Sequence, residues 1–391
     1  MTHLLAPLTT LAWPLPNLVS VAGIWARVKG KKDKQVRPPL PDAAPYMDIE
    51  GHASALFGAL RAFLMATVLF YVFHDDSDPE KAYPAFGRAG ALKLDWVVTV
   101  AVRNILATWI ICGSWDWLLY FSPMSKALEP YKINPRYPSM AQFRHDALNT
   151  TIASLCGTAV EVCLCHAWAT GMLSFNRNLS DAPFTSAAWV LFNFHVRIPH
   201  FYIIHRLMHP WKNKTLERWG IPDVGKFLYR HVHSLHHKSH NPSAFSGTSM
   251  HPVEATAYYT ASIVPALFGA HPIISIACLI DCAVGAWCVS LLSLSLPPSL
   301  PPSLSLSLSL SLTLTLTLTH SANTRTIKCV HDKHQTIRIA HDGFAWPGGG
   351  DLFHQLHHQH FDCNFGASHV PIDWMLGTYA GSKEEVRAIW K

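Results

Sequence analysis

The chain has 391 residues, of which 49% are hydrophobic and only 14% charged. Soluble domains carry about a quarter charged residues, so this composition argues against an ordinary soluble domain and for a membrane. The formal net charge of +6, with no basic stripe interleaved with aromatics, fits cytosolic basic loops and argues against nucleic acid as a partner. The nine cysteines lack the paired spacing of a disulfide framework or a thiolate zinc site, which reads as free thiols in a reducing compartment.

Residues 1–50 read as a partly disordered leader. Its apolar stretch is broken by Pro7, Pro14 and Pro16, and the basic run Arg27 to Arg37 follows it. A secretory signal places its positive charge before the apolar core, so this order is the wrong one. Residues 51–185 read as transmembrane helices. Ala53 to Phe73 carries Arg61 near its start; Trp96 to Phe121 contains Arg103; Thr151 to Phe175 contains Glu161 and His166. Each has the roughly 20 residues a span needs, and charges inside it must be buried in protein. Ser186 to Ile204 is a further candidate, and Ala255 to Trp287 is long enough for one tilted span or a tight helical hairpin.

Eight histidines in three short clusters carry the chemistry. They are His205 and His209; His233, His236 and His237; and His354, His357 and His358. Residues three and four apart share a helix face, so each cluster aims two or three imidazoles one way. A single such pair among 25 histidines is unremarkable, but three clusters beside apolar segments are not. Imidazole binds metal without adding negative charge, and a nitrogen-rich set suits iron, zinc, copper or nickel.

From Leu291 to Thr319 the chain alternates Ser-Leu and then Thr-Leu. A leucine strand of this length has no partner in a helical protein, so residues 288–338 read as a disordered low-complexity insertion. A two-base DNA repeat of T and C encodes the Ser-Leu alternation, which points to a simple-sequence expansion or a retained intron. That origin predicts a transcript joining the region of Trp287 directly to that of Ala340; a full-length cDNA keeping the repeat codons counts against it.

The clusters and their neighbours resemble the fatty acid hydroxylase/sterol desaturase superfamily of membrane-bound di-iron enzymes. The resemblance runs from Phe201-Tyr-Ile-Ile-His205-Arg-Leu-Met-His209-Pro through Tyr229-Arg-His231-Val-His233-Ser-Leu-His236-His237-Lys-Ser-His240-Asn-Pro to Ser246-Gly-Thr-Ser-Met-His251-Pro-Val-Glu254. It resumes at His341-Asp-Gly-Phe344 and closes with Phe353-His354-Gln-Leu-His357-His358-Gln-His360, Asn364-Phe-Gly366 and Asp373-Trp-Met-Leu-Gly377. It implies an all-α integral membrane bundle of about four spans with a cytosolic histidine-lined cap. Its domain would be split into residues 186–287, with the first two boxes, and 339–391, with the third.

The resemblance further implies that His205, His209, His233, His236, His237, His354, His357 and His358 hold two iron ions, with His341 as a ninth ligand. His251 and His360 are expected to orient ligands from outside. The implied reaction is hydroxylation or desaturation of a sterol or fatty acyl chain with O2. Electrons would come from a cytochrome b5-type protein or a ferredoxin, since no dinucleotide fingerprint is present. Pro347-Gly-Gly-Gly350 reads as a flexible turn before the third box. The implied location is the endoplasmic reticulum, with the site facing the cytosol. An aldehyde-processing or carotenoid-hydroxylating enzyme, and a histidine-lined metal transporter, are the alternatives; a transporter would place its ligands within the spans.

Overall fold

In the computed structural model, the described residues are 49–73, 86–123, 125–128, 132, 136–212, 214–287, 351–367 and 370–380. The leader up to residue 48, the insertion 288–338, His331, His334 and His341 lie outside them. Every regular element among the described residues is helical.

Helix α1 (Ile49–Phe73) and helix α2 (Leu94–Asp116) are apolar on nearly all sides. On α1, Ala59, Ala62 and Ala66 are buried, while Leu60, Leu64 and Val68 are exposed on the opposite stripe. On α2 the exposed stripe is Val98, Val102, Leu106, Trp109 and Ile110. Small residues inward and large apolar ones outward is the arrangement of helices that pack together in lipid. A π-type turn, Trp117–Phe121, ends α2, and Ser122 N–H closes onto the Trp117 carbonyl.

Helix α3 (Met140–Ala169) runs back beside α2. Its start is capped by Ser139, whose hydroxyl accepts from Gln142 N–H. The two charges that make these segments poor spans in isolation meet each other: Arg103 Nη2 lies 2.5 Å from Glu161 Oε1. Asn104 donates to Thr158, Thr108 to Ser154 and Trp109 to Thr151, so the pairs descend in antiparallel register. Each polar group is thereby satisfied by the neighbouring helix, as lipid requires.

Helix α4 (Pro183–Leu207) returns toward the cap with Pro183 at its first turn. Helix α5 (Val224–His231) begins at Asp223, whose carboxylate accepts from Lys226 N–H. After two 3-10 turns, His233–Lys238 and Ala244–Thr248, helix α6 (Pro252–Tyr259) descends and continues through Ile263–Leu267. Helix α7 (Pro272–Trp287) comes back. Ala255 to Trp287 is therefore a helical hairpin, with its turn tied to the α3–α4 connection by Asn176 N–H donating to the Gly269 carbonyl. Helix α8 (Asp351–His360) and the short α9 (Ile372–Leu376) complete the cap.

Among the described residues, two helices are long and apolar enough to cross a membrane: Leu94–Phe121 and Met140–Ala169. The four spans expected from sequence are not reproduced on that measure. The apolar stretch of α1 is only Gly58–Phe70, and the α7 stretch is Pro272–Ala286. The two candidate helices, together with the exposed apolar stripes of α1 and α2, suggest a helical membrane protein.

Candidate metal centre

The first histidine pair sits where α4 ends: His205 in its last turn and His209 just past the Met208 cap. The second group occupies a tight 3-10 turn rather than an α-helix, so helical spacing does not place its rings. The third lies on α8. Seven of the eight histidines are buried and His358 is partly so.

The rings assemble into two groups that cut across the sequence clusters. One donor atom from each of His205, His209, His233, His237 and His357 lies within 4.8 Å of all the others. The same holds for His236, His354 and His358. The groups adjoin, with the His237 and His358 ring centroids 4.6 Å apart. Each draws on the second and third clusters, so neither can form until distant parts of the chain meet.

Hydrogen bonds fix the tautomers. Nδ1–H of His205 donates to the Phe365 carbonyl at 2.7 Å, and that of His357 to the Cys363 carbonyl at 2.7 Å. Nδ1 of His236 reaches the Ser249 carbonyl at 3.3 Å, and Nδ1 of His233 reaches Glu254 Oε1 at 2.7 Å. A carbonyl only accepts, so these bonds put the proton on Nδ1 and leave Nε2 as a bare lone pair. Yet His205 Nε2 lies 3.1 Å from His233 Nε2, which lies 2.9 Å from His237 Nε2. Both nitrogens of His209, Nδ1 of His237 and Nε2 of His357 are buried without hydrogen-bond partners.

Protonation does not relieve this crowding. Burial pushes His233 and His357 down to about 3 and His236 to about 4; it holds His205, His209 and His237 well below their ordinary value. With Nδ1 engaged on both rings, the Nε2 lone pairs of His205 and His233 face each other and repel, and a shared cation would turn that repulsion into ligation. The donor set fits a metal.

The surrounding shell is built partly from residues whose positions the motifs marked but whose roles they did not reveal, and partly from α2 and α3 residues that no motif marked. Asp373 accepts from Phe365 N–H, Gly366 N–H and the Thr378 hydroxyl, each at 2.7 Å. It thereby holds the carbonyl that orients His205. Burial raises Asp373 to about 6, and the three donors oppose that rise. Gly366 is required because a Cβ there would stand 2.8 Å from Asp373 Oδ2. Asn364, at φ 57°, bonds the Phe353 and Ala380 carbonyls and the Ala380 N–H, setting the turn that presents Cys363 to His357. On the other side, Asp146 of α3 accepts from Ser239 and Ser249. Tyr120 and Gln142 bond the Pro242 and Asn241 carbonyls, and the Thr150 hydroxyl bonds that of Phe245. The ends of α2 and α3 thus clamp the segment that carries His236.

His251 lies outside both groups. Its Nδ1 accepts from Val253 N–H and caps α6, while Glu254, three residues on, supplies the buried carboxylate beside His233. The expectation that His251 orients a ligand falls instead on Glu254, which burial raises to about 7. His360 also lies outside both groups, at the end of α8, with Nε2 buried and unpartnered. His231 and His240 are exposed. His341 lies outside the described residues.

The buried, largely neutral imidazoles form two adjoining groups that could hold metal ions at the end of an all-helical bundle. Residues 189–295 match the family described as fatty acid hydroxylase, in agreement with the resemblance of the histidine clusters to the fatty acid hydroxylase/sterol desaturase superfamily. That match supports a lipid-modifying oxidase. It covers His205 to His237 and Glu254 and ends before the third cluster, whose place in the site rests on geometry alone. Neither the curated proteins nor the solved structures contain a match to the chain.

Proposed function

We propose that the protein is a membrane-bound, non-haem di-iron oxidoreductase that hydroxylates or desaturates a sterol or fatty acyl chain. The carrying observation is the division of eight imidazoles into two adjoining groups whose unprotonated nitrogens converge. Iron held by such donors supplies the chemistry that couples O2 to oxidation of an unactivated C–H bond. Nitrogen ligation also suits zinc, copper and nickel, and the family match is what favours iron.

The chain's own residues supply the rest. His205, His209, His233, His237 and His357 would hold one ion; His236, His354 and His358 would hold the other, with His341 as a further ligand. Glu254 and the carbonyls of Ser249, Cys363 and Phe365 fix ring orientation, and dense burial keeps bulk water from the centre. Exposed apolar stripes on α1 and α2 suit a substrate delivered sideways from the bilayer. Electrons are assigned to a separate cytochrome b5-type or ferredoxin donor, and the location to the endoplasmic reticulum with the cap in the cytosol.

The test is metal analysis of the purified chain, followed by turnover of candidate sterols and acyl lipids with a reconstituted electron donor. The expected result is iron in the protein and an O2-dependent new hydroxyl or double bond in the lipid. Iron-free protein that regains no lipid oxidation when reloaded with ferrous ion would sink the reading.

A further inference from the structure

Helix α5 divides its surface three ways. Gly225 and Tyr229, four residues apart, face inward. A Cβ on Gly225 would run into the His209 carbonyl and the Trp211 ring, and the Tyr229 ring packs 5.1 Å from that of His209 and 5.7 Å from that of His237. The opposite arc is mainly apolar and exposed: Val224 at 42% and Phe227 at 60%, with the exposed His231 ring 4.6 Å from that of Phe227. Trp219 at 71% and Ile221 at 41% extend it into the preceding turn. At 100° per residue, Lys226 and Arg230 fall on a third, basic arc, both exposed. Arg218 adds to that charge and Glu217 offsets one unit of it.

This segment is held as a unit against the end of α4. The Asp223 carboxylate accepts from Trp211, Lys212 and Lys226 N–H, and Trp211 Nε1–H donates to the Leu207 carbonyl. Its apolar arc lies next in the chain to Ile203 and Leu207, which are themselves exposed on α4. Bulky aromatic and aliphatic side chains flanked by lysine and arginine are what an in-plane helix needs: apolar groups below the headgroups, cations level with the phosphates. The chain already carries two helices long and apolar enough to cross a bilayer, which puts a lipid surface within reach of this arc.

We propose that residues 214–231 form an interfacial anchor, inserting Trp219, Ile221, Val224 and Phe227 among acyl chains while Lys226 and Arg230 pair with anionic lipid phosphates. The anchor seats the His209–His233–His237 face of the cap, through Tyr229, at the bilayer surface.

The full-length chain is reconstituted in nanodiscs with a photoreactive benzoylphenylalanine in place of Phe227. The discs contain phosphatidylcholine alone or with phosphatidylserine. Irradiation is expected to attach lipid to the peptide containing position 227. Adding K226E and R230E is expected to lower the lipid adduct about fivefold or more in the anionic discs. No lipid adduct in either disc, or adducts only to protein when native membranes are irradiated, overturns the proposal. A lipid adduct in anionic discs that ignores the charge reversal overturns the headgroup pairing. Neither readout requires metal or turnover, so failure here leaves the oxidase reading standing.

Discussion

Nδ1 of His233 stands 2.7 Å from Oε1 of Glu254, and both side chains are almost wholly buried. The carboxylate holds the ring so that Nε2 faces His205 and His237. Carboxylates in this position typically contribute about 10–100-fold in metal affinity. E254A is therefore expected to weaken retention of metal by about that factor while leaving the helical content intact, with E254Q less damaged because its amide oxygen still accepts. Metal retained against a graded chelator, read beside far-UV circular dichroism, checks this. Equal retention in E254A and the parent would remove Glu254 from the site.

Asp373 acts at one remove, through the backbone. It collects three donors, and losing it strands two amides beneath the carbonyl that orients His205. A buried donor without a partner costs about 1–3 kcal/mol. D373A should lower the midpoint of thermal unfolding by several degrees and loosen metal at the five-histidine group. G366A should act in the same direction, because the added methyl would press on the same carboxylate. The two changes share one contact, so the double variant should cost less than their sum. Strict additivity in unfolding measurements would show that they act separately.

Arg103 and Glu161 settle how α2 and α3 tolerate charge. Glu161 is 1% exposed and Arg103 is 20% exposed. Removing one partner leaves an uncompensated charge, at a cost of about 3 kcal/mol, whereas replacing both by apolar residues is often close to neutral. R103L and E161L should each lower the thermal midpoint in detergent, and R103L/E161L together should recover most of the loss. A double variant as unstable as the worse single would mean that the pair itself, not the unpaired charge, holds the helices.

The sequence made the donors legible but not their grouping. The spacing of His233, His236 and His237 promised one shared face, yet the 3-10 turn sends His236 to a different group from its neighbours. Four of the rings are oriented through Nδ1, and three of the groups they meet are backbone carbonyls, which no residue pattern displays. Glu254 stood in a motif already marked, but spacing could not choose between it and His251. Charge pairing across the bundle was equally hidden: Arg197 in α4 and Asp281 in α7, 84 positions apart, are partners at 2.7 Å. The hairpin of α6 and α7 was legible as an alternative because Ala255 to Trp287 is long enough for two short helices and holds Pro272 near its middle.

The grouping itself gives the sharpest expectation. If each group holds its own ion, H236A should strip the three-histidine group and leave the five-histidine group loaded. The metal content should then fall from about two per chain to about one. H209A removes one of five donors, so it should lower affinity at its own group while the three-histidine group stays filled. Inductively coupled plasma analysis of purified variants, normalised to protein, reads both numbers. Simultaneous loss of all metal in H236A would indicate one centre that cannot be half filled, and the partition inferred from the ring positions would fail.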